Sequence, residues 1–332
     1  MKRLVLFDLV LIGSLGLGAC QGQRAGVDVV DEAATETRLS LAELRQMLED
    51  ADDERVMVVA HRACWRLAPE NSLHAIDECV RLGVDMIEID VRRSKDGHLM
   101  LMHDGTVDRM TDGSGPIEEM TLDGIQELRL KEGAGGEDAA LTEKRVPTLE
   151  QAMLAAKGKI LVNLDMKADL YSQSLELLEK TGTTEQVLIK MNALPDESQL
   201  RSAKFLGKTY FMPIIRECRE RPDETCSESL SHVVPQYAPY DPVAYEIVFQ
   251  SETYLSEGVE SIVEEKARVW VNTLATDHAA GHVDDQNLAD PDAHWGHLID
   301  MKVDMIQTDR PELLMEYLTS RGYRDRGARS PR

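Results

Sequence analysis

Asp85-Met86-Ile87-Glu88-Ile89-Asp90-Val91-Arg92-Arg93, Ser94-Lys95-Asp96-Gly97, then His98-Leu99-Met100-Leu101-Met102-His103-Asp104: this stretch reads as two β-strands joined by a tight turn. Ile87, Ile89 and Val91 alternate with Glu88 and Asp90, the period of a strand with two different faces. Asp-Gly is a strong hairpin signal, and no room remains for a helix between the runs. Glu88 and Asp90, two residues apart, share one face. On a solvated edge that would mean little, but the apolar alternation argues for burial. Two carboxylates aimed together into an apolar interior repel, and burying them is costly unless a cation neutralises them. Oxygen donors alone favour calcium or magnesium over zinc.

Outward from this stretch, apolar runs alternate with helical segments, the pattern of a parallel α/β sheet or barrel. Candidate strands are 56–61, 85–91, 98–103, 159–165, 186–191, 209–215, 244–250, 268–273 and 303–308. Nine exceed an eight-stranded barrel by one, so one strand is expected outside the ring. The expected fold class is α/β, an irregular TIM (β/α)8 barrel over residues 39–320, with a small insertion at 104–148 after the third strand. A lead-in helix is expected over Leu39 to Glu49, and a polar tail over 321–332. Hydrophobic residues make up 42% of the 332, with only four Phe and three Trp, which points to an aliphatic interior.

The formal charge of −23 argues against nucleic acid or an anionic membrane surface as a partner, since both require a basic footprint. An anionic substrate must therefore be held by local positive charge, here Arg62, Lys167 and a bound cation. Nothing in the chain points to an obligate protein partner.

Lys2 and Arg3, an apolar run interrupted by Asp8, and Leu17-Gly18-Ala19-Cys20 resemble a bacterial lipoprotein signal over residues 1–20. That resemblance implies lipidation of Cys20 and membrane attachment through the N-terminal lipid alone. Gln21 differs from an inner-membrane retention signal, so the expected location is the outer membrane, facing the periplasm or the cell surface. Residues 21–38 are small, polar and acidic, and read as a tether. Cys64, Cys79, Cys218 and Cys226 allow three connectivities. Export makes a Cys218–Cys226 bridge over a short loop an expectation, with buried free thiols as the alternative.

His61 ends the 56–61 strand, where catalytic groups of barrels sit, and Arg62 offers a planar fork of donors to a phosphate. His103 ends the return strand. Two histidines poised near neutrality can exchange the roles of base and acid in phosphodiester cleavage. Asp165 and Lys167 alternate to one face at the end of another apolar run. His278, His282, His294 and His297 crowd the long loop 274–302 without the fixed spacing of metal sites. They are expected to be solvated loop histidines, a second metal site being the alternative.

The ordered motifs His61-Arg62, Pro69-Glu70-Asn71, Glu88-x-Asp90, Ser94-Lys95-Asp96-Gly97 and His103-Asp104 resemble the glycerophosphodiester phosphodiesterase family. The resemblance spans 56 to about 315, with its specific part in 56–115. It implies metal-dependent hydrolysis of glycerophosphodiesters or related head-group phosphodiesters to an alcohol and a phosphomonoester such as sn-glycerol 3-phosphate. His61 would be base and His103 acid, with Glu88, Asp90 and Asp165 on one divalent cation, calcium or magnesium. Arg62 and Lys167 would bind phosphate. Asp165 stands where the family usually has Glu, and Ala63 where it has Gly, so a Cβ is expected to narrow the phosphate site. Trp270 is read either as an apolar wall for the alcohol or as core, and Thr308-Asp309-Arg310-Pro311 as mainly architectural. Two alternatives remain: a phospholipase-D-toxin-like lyase that stops at a cyclic phosphate, and an inactive surface lipoprotein that binds lipid head groups.

Overall fold

Eight parallel strands close into a ring in the computed structural model, which describes residues 38–218 and 226–324. They are β1 (Met57–Ala60), β2 (Met86–Arg93), β3 (Leu161–Met166), β4 (Val187–Met191), β5 (Tyr210–Glu217), β6 (Ala244–Val248), β7 (Arg268–Asn272) and β8 (Met305–Thr308). Each pairs with the next, and β8 returns to β1 with Met57 opposite Met305. With helices between the strands, this is a TIM barrel.

Each of the nine runs contains a strand, and the 98–103 run is the one outside the ring. Leu99–Leu101 lies antiparallel on β2, with Val91 opposite Leu101. Ser94 Oγ accepts the His98 N–H at 2.9 Å, and Gly97 takes φ +91°, a conformation that would strain any side chain. The turn therefore fixes the register that delivers His103 beside β2.

Strand alternation divides the interior into storeys. Met57, Val59, Met86, Leu161, Leu188, Met212, Ala244, Trp270 and Met305 point inward at the N-terminal ends of the strands and pack as one cluster. The lead-in helix, Leu41–Glu49, seals this floor with Leu44, Met47 and Leu48. Ser40 and Glu43 cap it reciprocally, a device worth about 1 kcal/mol. Val58, Ala60, Ile87 and Ile89 point outward into the larger core beneath the helices. By parity, the next inward positions on the same strands are Glu88, Asp90, Asn163, Asp165, Lys190 and Glu246, so the axis turns from apolar to charged towards the mouth.

Residues 104–148, between the return strand and β3, hold helix Leu122–Gln126 and an antiparallel pair, Arg129–Lys131 with Leu141–Arg145. Val107, Met110, Ile117, Ile125 and Leu130 give it a core of its own, continuous with Met100 and Met102. At the other end Arg324, expected in a polar tail, is instead fastened to the body. Its Nη1 and Nη2 lie 2.6 and 2.9 Å from the buried Asp85 carboxylate. The export signal, Cys20, the tether up to residue 37 and tail residues 325–332 lie outside the described residues. Among the described residues, no helix is long and apolar enough to cross a membrane.

Candidate active site

A cavity of about 510 Å³ opens at the C-terminal ends of the strands, lined among others by His61, Arg62, Glu88, Asp90, His103 and Asp165. A larger hollow, about 610 Å³, lies at the floor end beside Asp53 and Tyr323, but no histidine lines it and, among the described residues, its acids form no group that could hold a metal ion. The chemistry belongs to the mouth, as barrel geometry dictates.

Glu88, Asp90 and Asp165 converge there, each offering an oxygen within 4.8 Å of the others. Register brings them together: Asp90 sits opposite Asp165, and Glu88 opposite Asn163. The shorter side chain of Asp165 therefore does not remove it from the group. Lys167 Nζ lies 2.8 Å from both Asp90 Oδ1 and Asp165 Oδ2. Lys190 Nζ, buried beneath, is 3.5 Å from Asp165, 3.7 Å from Glu246 and 4.0 Å from Glu88. Burial and then the Asp90 charge push Glu88 up to about 7. Burial also opposes the Asp90 charge, but Lys167, mainly by charge, together with His103 holds that carboxyl below its ordinary value.

Four acids thus face two lysines, and the group is short of positive charge. Asp90 Oδ1, although close to Lys167, has no aligned hydrogen-bond donor. A carboxylate trio of this kind, two members buried and the third half-buried, all oxygen donors with one member drawn to a proton, fits a hard divalent cation.

Both histidines are held by carboxylates. His61 Nδ1 lies 2.8 Å from Asp309 Oδ1, which also accepts the Trp65 indole N–H at 2.6 Å. His103 Nδ1 lies 2.7 Å from Asp104 Oδ1, and Asp104 is gripped by Arg109 through Nε at 2.7 Å and Nη2 at 3.0 Å. In both rings the carboxylate engages Nδ1 and directs Nε2 elsewhere. Burial lowers the His61 imidazolium, but the Asp309 hydrogen bond and the Glu88 charge more than reverse this and raise it. Burial dominates at His103, whose pKa falls below the ordinary value despite Asp90 and Asp104.

The Pro-Glu-Asn segment has a mechanical explanation. Asn71 clamps Asp90 from both sides, donating to its Oδ2 at 2.7 Å and accepting its backbone N–H at 3.0 Å. The buried Glu70 carboxylate receives Arg62 at 3.0 Å and Arg109 at 2.6 Å. Arg62 Nε, buried and 3.6 Å from Asp90, lacks an aligned acceptor.

Of the two readings of Trp270 the core one holds, and the expectation for Ala63 needs correction. Trp270 is fully buried in the floor cluster, its Nε1 donating to Asn272 Oδ1 at 2.7 Å, because its parity places it one storey below the mouth. It forms no wall of the cavity; Ile214, Val248 and Leu274 supply apolar lining instead. Ala63, at φ +60°, packs into the core under the helices and does not line the cavity. Its left-handed backbone explains why the family uses glycine here, an alanine costing roughly 1–2 kcal/mol.

Asp309, expected to be mainly architectural, holds His61, and Lys190 and Glu246 join the site although neither was among its candidate residues. The signal for the last two was present: each is a charged residue inside an otherwise apolar strand, which burial tolerates only with a partner. Cys64 pairs with Cys79 and Cys218 with Cys226, one of the three connectivities.

A model of the glycerophosphoryl diester phosphodiesterase family matches residues 61–313. The glycerophosphodiester phosphodiesterase of Caldanaerobacter subterraneus is 38% identical over 117 residues, 35% of this chain and 47% of that one. The chain spans about half the length of the curated relatives it matches, between 40% and 61% for the first three. A Parabacteroides distasonis glycerophosphoryl diester phosphodiesterase structure covers 85% of this chain and 93% of its own, at 22% identity and TM-score 0.66. An Oleispira antarctica phosphodiesterase, in complex with the product sn-glycerol-3-phosphate, covers 81% of this chain and 99% of its own, at 22% identity and TM-score 0.59. At these identities the two structures speak to the fold. With the family model covering most of the barrel and both histidines, the chain belongs to the glycerophosphoryl diester phosphodiesterase family.

Proposed function

We propose that this protein is a metal-dependent phosphodiesterase that hydrolyses glycerophosphodiesters or related head-group phosphodiesters to an alcohol and a phosphomonoester. The observation that carries the reading is the pair of carboxylate-held imidazoles, His61 and His103, on one cavity with three convergent acids. The product recorded with the Oleispira protein supports sn-glycerol 3-phosphate as the phosphomonoester.

Glu88, Asp90 and Asp165 would hold a calcium or magnesium ion, which offsets charge on the nonbridging phosphate oxygens. Arg62 and Lys167, both on the cavity wall, supply fixed positive charge beside it. His61 accepts the proton of the substrate's neighbouring hydroxyl as its oxygen bonds to phosphorus. His103 gives a proton to the departing alkoxide. Water then opens the cyclic phosphate with the two roles reversed.

The directions of the two pKa values suit these roles in strength, since a raised His61 binds a proton more firmly and a lowered His103 releases one more readily. They also make the productive protonation state a minority one. Ile214, Val248 and Leu274 offer the alcohol moiety an apolar side.

The test is a screen of glycerophosphocholine, glycerophosphoethanolamine, glycerophosphoinositol and lysophospholipids, with and without chelator, followed by phosphorus NMR. Chelator-sensitive formation of a phosphomonoester is expected. A cyclic phosphate as final product would make the protein a lyase, and no turnover with any metal would overturn the reading.

We propose further that the chain is exported and lipidated at Cys20. Two disulfides among the described residues support an oxidising compartment. Mass spectrometry of the membrane fraction should find Cys20 as a lipid-bearing first residue, and an intact Met1 would count against it.

A further inference from the structure

The loop histidines are not scattered in solvent. His282 is buried, and its Nε2 lies 3.1 Å from Glu252 Oε1. His297 Nε2 lies 3.0 Å from the other oxygen, Glu252 Oε2. His294 Nδ1 meets His282 Nδ1 at 2.9 Å. Three separate segments make this cluster: the first turn of helix Glu252–Ser256 after β6, the loop after β7, and the π-turn Asp292–Gly296 running into helix His297–Asp300. Single π-turns are frequent at functional sites. None of the four side chains lines the catalytic cavity.

We propose that Glu252, His282 and His297 form a second cation site, selective for zinc or a zinc-like transition metal, with His294 orienting His282. The donor atoms lie within 4.8 Å of one another. Ligands about 2.0–2.1 Å from a tetrahedral zinc stand about 3.4 Å apart, so small side-chain shifts complete the geometry. Two imidazoles and one carboxylate form a donor set that zinc sites use, with the fourth position left to water. Calcium and magnesium take oxygen ligands, which separates this site from the trio at the mouth.

The His282–His294 contact distinguishes a ligand set from a chance cluster. A metal-bound histidine donates its other ring N–H to an acceptor that fixes its orientation. With Nε2 on the cation, the His282 proton resides on Nδ1 and points at the Nδ1 lone pair of His294. Without the cation, Nε2–H donates to Glu252 and the Nδ1 pair is bridged by the His294 proton. The same 2.9 Å contact serves both states, so loading requires a proton relocation and no rebuilding.

Occupancy would pin the loop between β7 and β8 against the loop after β6. That loop also carries His278, on the cavity wall, and Asp284, whose Oδ2 accepts the Asp309 N–H at 2.7 Å. The cation is therefore a clamp behind the residue that holds His61.

The test is calorimetric titration of the metal-stripped full chain with zinc, in the presence of saturating calcium. One equivalent of zinc should bind to the wild type. His297→Ala, at a partly exposed position, should abolish that equivalent, and His294→Ala should weaken it roughly 10–100-fold. Cobalt should give the intense visible bands of a tetrahedral site in the wild type and lose them in His297→Ala. A calcium titration should be unchanged in both variants. Zinc binding equal in the wild type and His297→Ala, or a cobalt spectrum indifferent to the substitution, overturns the proposal.

Discussion

His61 and Asp309 stand 248 residues apart in the chain, yet ring Nδ1 and carboxylate Oδ1 are 2.8 Å from each other. The contact joins the first strand of the barrel to the residue after the last, across the seam where the ring closes. It fixes the tautomer that leaves Nε2 unprotonated and able to take a proton. Asp309→Asn presents either an oxygen or an N–H to Nδ1, and the N–H orientation protonates Nε2 instead. We expect kcat to fall about 10²–10⁴-fold with a much smaller change in KM, and the His61 limb of the pH profile to move to lower pH. An unaltered pH profile of kcat/KM would separate Asp309 from the chemistry.

Leaving-group chemistry distinguishes the two histidines. A general acid matters less when the departing alcohol is already acidic. His103→Ala should therefore recover much of its loss on a nitrophenyl phosphodiester, whereas His61→Ala should remain slow on both substrates. Equal deficits for both variants on both substrates would contradict the assignment of roles. The wild-type pH profile should be bell-shaped, its limbs belonging to the pair.

Cation binding should depend on pH through Glu88. Burial and Asp90 push this acid up to about 7, so below that pH a cation must displace a proton. Calcium affinity measured by calorimetry should rise with pH and level off above about 7, with proton release in the acidic range. Glu88→Gln should weaken binding and flatten the dependence, and Asp90→Asn should weaken it as well. Chelator-proof wild-type turnover in either variant would move the cation elsewhere.

Asp104 links the second histidine to acid stability. Hydrogen bonds from Arg109 hold its carboxyl well below the usual range, against some burial. A depressed folded-state pKa contributes stability that is present above the unfolded value near 4 and lost as pH falls towards the folded one. Asp104→Asn lacks that contribution at every pH. The gap in Tm between wild type and variant should therefore be widest near neutrality and close below about pH 4. A gap that stays constant down to pH 2 would mean that Arg109 does not act through charge.

Much of the mouth was legible because short-range rules govern it. Strand parity put Glu88 with Asp90, the Asp96-Gly97 turn placed His103, and the excess ninth strand identified itself by the missing helix. What escaped depended on closure of the ring. Asp309 meets His61 only because β8 pairs with β1, and the depth of Trp270 is decided by neighbours on other strands. Glu252 joins His282 and His297 through loops whose paths no periodicity encodes.

The storeyed interior also has a use in protein engineering. Met, Leu and Trp side chains at the floor are separated from the charged row by one strand repeat, so the residues that stabilise the barrel and those that handle the substrate are different sets. A library confined to Ile214, Val248 and Leu274 explores new alcohol moieties while leaving both the sealed floor and the two carboxylate-held imidazoles untouched. Selection for altered substrate range can then proceed with little tax on thermal tolerance, so stabilising changes at the floor can be introduced afterwards and independently.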